Sequence, residues 1–131
     1  MPASVYPSLQ YADADAAMKW LEDVLGCRRR EDHRDDDGNV VHAELVFRGA
    51  IVMLSTARVG REPFRSLPPG GRLVYCAIDE VDSFYERVRE AGGDIALEIT
   101  DTDYGSRDFT VRDPEGNLWA FGTYRPRVEE D

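Results

Sequence analysis

Ser106-Arg107-Asp108-Phe109-Thr110-Val111-Arg112, then Asp113-Pro114-Glu115-Gly116-Asn117, then Leu118-Trp119-Ala120-Phe121, is the most informative run of the chain. Two stretches that alternate apolar and polar residues flank a Pro/Gly/Asn turn, and that pattern predicts a β-hairpin. Trp119 and Phe121 share one face of the second strand, so Leu118, Ala120 and Gly122 point the other way.

Working outward, the chain reads as two copies of one unit. Val5 to Tyr11 is extended, and Asp13 precedes Ala14, Ala17, Met18, Leu21, Val24 and Leu25 at helical spacing, closed by Gly26. Leu73 to Ile78 is extended in the same way, and Asp79 precedes Val81, Phe84, Tyr85, Val88 and Ala91, closed by Gly92-Gly93. A shift of 67 positions superposes the helices, placing Ala14 on Val81, Met18 on Tyr85 and Leu21 on Val88. Three strands follow each helix: residues 27–33, 40–47 and 50–55 in the first half, then 94–99, 106–112 and 118–123 in the second. The expected organisation is one α+β domain over residues 1–125. Module one covers about 5–55 and module two about 72–124; the Gly/Pro/Arg-rich 56–71 between them is a linker or a flap, and 126–131 is a polar tail.

The hairpin and the repeated βαβββ order resemble the vicinal oxygen chelate superfamily, which includes glyoxalase I, the extradiol dioxygenases and the bleomycin-resistance proteins. The resemblance covers about residues 5–124. It implies a curved, roughly eight-stranded cup with helices on the outer face, a small-molecule site inside it, and in many members a homodimer that completes or covers it. Metal-using members carry two His or Gln residues on the opening strands and two Glu residues on the hairpins, the last in the pattern Asp-Pro-x-Gly-Asn-x-x-Glu. The matching positions here hold Tyr6, Met53, Leu73 and Ala120. Three of them cannot ligate a divalent ion and neutral Tyr is a poor ligand, so no metal and no cofactor are expected.

Strand alternation selects the side chains that look into the cup. Tyr6, Ser8 and Gln10 face inward from the first strand, and Leu73, Tyr75 and Ala77 from the corresponding strand of module two. If Phe47 pairs with Ala50 across the Arg48-Gly49 turn, Glu44 opposes Met53 and His42 opposes Ser55, with all four inward. Asp108 and Thr110 accompany Ala120. The candidate ligand-binding set is therefore Tyr6, Gln10, His42, Glu44, Met53, Tyr75, Tyr104, Asp108, Ala120 and Tyr124, and His42 with Glu44 is the candidate acid–base pair. An inward carboxylate must be solvated, paired or protonated. Glu44 thus either receives a cationic or hydrogen-bond-donating part of a ligand together with Asp108, or closes an internal bond with His42. Arg107, near the rim, either caps a planar molecule or pairs with a surface carboxylate. Trp20, Trp119 and Phe121 are expected in the core.

Charge and composition narrow the function classes. The net charge of −10 opposes nucleic acid as a partner, because phosphate binding needs a basic footprint. No run of about 18 apolar residues suggests a membrane segment, and the start has no secretory pattern. The expectation is cytoplasmic. Cys27 and Cys76 have no metal-site or disulfide spacing and read as reduced, packed thiols. Nucleophile elbows and phosphate-binding glycine loops are absent. The leading expectation is a metal-free, small-molecule-binding protein that holds a planar or cationic ligand. The alternatives are a metal-dependent lyase or dioxygenase with a rearranged site, and a metal-free acid–base enzyme using His42 and Glu44.

Overall fold

The structure is a computed structural model that describes residues 1–129; of the polar tail expected at 126–131, the last two positions lie outside the described residues. Module one runs β1 (Ser8–Tyr11), α1 (Ala14–Asp23), β2 (Arg28–Arg34), β3 (Val40–Phe47) and β4 (Ala50–Thr56). Module two runs β5 (Leu73–Ala77), α2 (Val81–Glu90), β6 (Asp94–Asp101), β7 (Arg107–Arg112) and β8 (Leu118–Gly122). Within 56–71 there is one 3-10 turn, Phe64–Ser66.

The strands form two four-stranded sheets, ordered β1-β4-β3-β2 and β5-β8-β7-β6. In each, the opening strand runs parallel to the last and the remaining pairs are antiparallel. Ser8 pairs with Met53 and Tyr75 with Ala120, so both partners move by the 67 positions that superpose the helices. The repeat seen in helical spacing is therefore a repeat of register as well. β1 and β5 each lie at the edge of their own sheet.

Alternation decides what is buried. Leu9, Tyr11, Ala43, Leu45, Val52 and Leu54 in sheet one, and Phe109, Val111, Trp119 and Phe121 in sheet two, lie in one core with Met18, Leu21, Phe84, Tyr85 and Val88 from the helices. The two halves of the core meet through aromatic rings: Phe47 stands 5.5 Å from Phe84 and 5.6 Å from Phe121, and half-buried Trp20 stands 6.2 Å from Trp119.

Polar contacts at the two hairpin turns join the modules further. Asp113 is buried in the β7–β8 turn and accepts hydrogen bonds from Glu115 N, Asn117 N, Asn117 Nδ2 and Trp119 Nε1, which shape the turn. It also accepts one from Tyr11 Oη of β1 at 2.7 Å, 102 residues away. Glu115 reaches the start of α1, where its carboxylate accepts from Ala12 N (2.7 Å) and Asp13 N (2.8 Å). Asp13 itself accepts from Ala16 N, so the positive end of α1 is capped from within and from the other module. The corresponding β3–β4 turn is only Arg48-Gly49, both at positive φ (47° and 85°) as a tight hairpin requires. Arg48 carries the contact there: its guanidinium lies 4.9 Å from the Phe84 ring centre and donates to Asp79 O at 3.3 Å.

Candidate functional site

Each sheet turns one face to the core and leaves the other open. On the open face of sheet one, Glu44 lies between Met53 of β4 and Glu31 of β2. Its Oε2 is 2.8 Å from His42 Nε2, the partner its spacing suggests. Its Oε1 accepts from Arg30 Nη1 at 2.9 Å, a contact the sequence reading did not anticipate. Arg29 pairs with Leu45 and Glu31 with Glu44, so Arg30 is the extra residue of a bulge in β2 and reaches Glu44 from beside its ladder partner. His42, first of the two causes, and Arg30 hold the Glu44 carboxyl below the usual glutamate range. Of the two arrangements open to Glu44, the structure has the internal bond with His42, to which Arg30 adds a second partner.

The same bulge sets His33 directly across from His42, with ring centres 6.1 Å apart and His33 Nε2 3.0 Å from Glu31 Oε2. The wall formed by Arg30, Glu31, His33, His42 and Glu44 is thus polar and internally paired.

The open face of sheet two is built otherwise. Asp108 stands across from Gly122 and accepts hydrogen bonds from Ser106 Oγ and from Tyr104 Oη, the latter at 3.0 Å. Ser106 is buried and held in place, since its Oγ accepts from Tyr124 N and its own N–H donates to Thr102 Oγ1. Tyr75 Oη donates to Tyr124 O at 2.7 Å, and the Tyr104 and Tyr124 rings meet at 87° with centres 5.9 Å apart. Gly122 makes this cluster possible: a Cβ there would collide with Asp108 Oδ1 and lie 2.8 Å from Tyr75 Oη. Burial, chiefly, raises the Tyr75 phenol, and the bond to Asp108, chiefly, raises that of Tyr104, so both remain protonated donors at neutral pH.

The ten candidate ligand-binding residues thus fall into groups. Tyr75, Tyr104, Asp108 and Tyr124 are joined by hydrogen bonds and ring contacts on sheet two, with Ala120 beside Tyr75 and Thr110. His42 and Glu44 form the other group, with Met53 adjacent. Gln10 lies at the β1 edge, and its side-chain carbonyl oxygen is buried with no hydrogen-bond partner among the described residues. Tyr6 precedes β1, is exposed, and with Tyr75 lines a cleft of about 780 Å³ between the modules that also touches Leu25, Cys27, Phe47, Cys76 and Trp119. Residues 56–71 do not contribute to that cleft. Arg107 pairs with Asp82 and Asp101, the surface alternative for this residue. Burial pushes the Cys27 thiol up to about 12 and that of Cys76 up to about 11, which leaves neither as a ready nucleophile.

The register also tests the family's metal positions. Ser8 and Tyr75, rather than Tyr6 and Leu73, stand directly beside Met53 and Ala120. On either alignment the set lacks His, Asp and Glu, and among the described residues no three His, Cys, Asp or Glu side chains are grouped to hold an ion. Among the described residues, no helix is long and apolar enough to cross a membrane.

Two βαβββ modules, each a four-stranded mixed sheet with one helix, define the class of fold. Residues 4–121 match the Glyoxalase/Bleomycin resistance protein/Dioxygenase superfamily, and the chain belongs to that superfamily. TioX from Micromonospora sp. ML1 is similar in structure, with a TM-score of 0.76 and 32% identity over 95% of this chain and 100% of that one. A glyoxalase/bleomycin resistance protein/dioxygenase from Nocardioides shares the fold, with a TM-score of 0.73 and 22% identity over 99% of this chain and 91% of the other. Two mycobacterial proteins, Mb0911c of Mycobacterium bovis and Rv0887c of Mycobacterium tuberculosis, both named as uncharacterized, are 30% identical over 91 residues, 66% of this chain. The match spans 60% and 54% of their respective lengths.

Proposed function

We propose that this protein binds a planar small molecule against the tyrosine-lined open face of sheet two, without a metal ion, and that a second copy closes the site. The observation that carries the reading is the aromatic cluster itself. Tyr75, Tyr104 and Tyr124 are 37%, 64% and 48% exposed, yet they are organised by hydrogen bonds and a perpendicular ring pair rather than scattered. Organised, half-exposed aromatic surface is what a ligand site presents before it is filled.

The two sheet edges support closure by a second copy. Pro7 O and Tyr11 O accept from Met53 N and Ala57 N, so the backbone groups of Ser8 and Gln10 point to the open side of β1. Arg72 O and Ile78 N bond toward β8, which leaves Leu73, Tyr75 and Ala77 with backbone groups at the open side of β5. Open edges of this kind pair with another chain. A homodimer joining β1 of one copy to β5 of the other gives the roughly eight-stranded cup, with the Glu44 wall of one copy beside the tyrosine wall of its partner, and offers a donor to the orphan Gln10 oxygen.

A thermal-shift screen with planar aromatic compounds tests the ligand, since anything that binds only the native state raises apparent stability. A hit should lose its shift in Tyr104→Ala and Tyr124→Ala; a hit unaffected by both rules this face out. Ala77→Pro removes an outward N–H and should yield a folded monomer by sedimentation. Elemental analysis of protein purified without chelator should find no stoichiometric divalent ion; one that leaves together with activity ends the metal-free reading.

The hydrogen bond between His42 and Glu44 favours a second reading, in which His42 moves a proton on an activated carbonyl or aromatic substrate and Glu44 orients it. In that case Glu44→Gln retains ligand binding while turnover is lost.

A further inference from the structure

Resting on the ligand site proposed above, we infer that Asp108 receives a positively charged nitrogen, and that the ligand class is therefore flat aromatic cations rather than flat molecules in general. The carboxylates of the two open faces differ in their partners. Glu44 is matched by Arg30 and His42, and Glu31 by His33. Asp108 is held instead by two neutral hydroxyls, Ser106 Oγ and Tyr104 Oη, and among the described residues it forms no ion pair with Lys, Arg or His. Neutral donors orient a carboxylate and leave its charge in place.

The surroundings suit a cation with an aromatic body. The perpendicular Tyr104 and Tyr124 rings form two sides of a corner, and ring faces attract organic cations. Tyr75 Oη and the Asp108 carboxylate pack against the bare Cα of Gly122 and take up the space that a Cβ of any other residue would need, so glycine holds the carboxylate and the phenol close together. Buried Ser106 fixes the carboxylate from behind through bonds to the Thr102 turn and to Tyr124 N, so the group is already in position. Asp108 thus acts as a specificity-determining residue, and Glu44, which sequence alone ranks above it, does not.

Three flat probes of nearly equal size test this on the full chain: N-methylisoquinolinium, its uncharged isostere 2-methylnaphthalene, and naphthalene-2-carboxylate, titrated by calorimetry. The cation should bind about tenfold or more tighter than the isostere, with the anion weakest, and added salt should weaken the cation alone. Asp108→Asn should remove that preference while leaving the isostere's affinity unchanged, and Glu44→Gln should preserve the preference. Equal binding of the cation and the isostere to wild type, with no selective effect of salt, overturns the inference and leaves the planar-ligand reading standing. Binding of none of the three overturns both. The salt comparison needs only the wild-type chain, so the outcome does not depend on the folding of Asp108→Asn.

Discussion

On the open face of sheet one, Glu44 meets Arg30 and His42; on that of sheet two, Asp108 meets only the hydroxyls of Ser106 and Tyr104. The ladders are equivalent, with Ser8–Met53–Glu44 in one module and Tyr75–Ala120–Thr110 in the other. The same frame therefore carries a charge-balanced wall and an aromatic wall with a charge in reserve. The turns differ as well. A two-residue turn in module one makes a surface contact through Arg48, whereas the five residues Asp113 to Asn117 form a buried polar hub that reaches β1 and α1. The motif that identifies the family in sequence is thus, in this molecule, a joint between modules. The repeated module supplies the frame, and the two open faces differ in the side chains placed on it.

The contrast between the turns should give the largest effect. Asp113→Ala strands Tyr11 Oη, Trp119 Nε1 and Asn117 Nδ2 in a buried setting and should lower unfolding stability by about 3 kcal/mol or more, while Arg48→Ala removes a surface ring contact and should cost about 1 kcal/mol or less. Urea denaturation measures both; equal losses would break the comparison. At the strand ends, Gln10 pairs with Ser55 and Ala77 with Gly122, so Ser55 and Gly122 are equivalent. Gly122→Ala drives a methyl into Asp108 and Tyr75 and should cost about 1 to 3 kcal/mol along with any probe binding, whereas Ser55→Ala should stay within about 0.5 kcal/mol.

The smallest effect concerns pH. The folded Glu44 carboxyl sits below its unfolded value, so its contribution favours the native state above the ordinary glutamate range and is lost as pH falls through that range toward the lowered value. Glu44→Gln should remove this part of the acid dependence, making the difference from wild type largest at neutral pH and smallest in acid. Denaturation at a series of pH values reads it, and a difference that grows in acid would contradict the assigned partners.

Much of the frame was legible because it is local. Helical spacing marked α1 and α2, and alternation separated Trp119 and Phe121, now buried, from Ala120 on the open face. The pairing of Glu44 with Met53 followed from the Arg48-Gly49 turn alone. The site was less legible. Glu31 and His33 reached the Glu44 wall through a bulge that alternation does not announce, because an inserted residue reverses the parity of everything beyond it. Alternation put Gly122 on the open face but not against Asp108, and Ser106 carried no assigned role, because a serine before a strand and a glycine at a strand's end are common for turn reasons alone.

By itself the sequence determined the repeated module, the faces of most strands and the donor set at the family's metal positions, since each depends on residues a few places apart or on residue identity. Only the tertiary structure decided which carboxylate is already matched, that the Asp113 turn joins the modules, and that the eight strands divide into two sheets with open edges at β1 and β5. Those outcomes depend on side chains brought together from distant parts of the chain, and the short range of hydrogen bonds and ion pairs makes them sensitive to a one-residue bulge that the overall pattern absorbs.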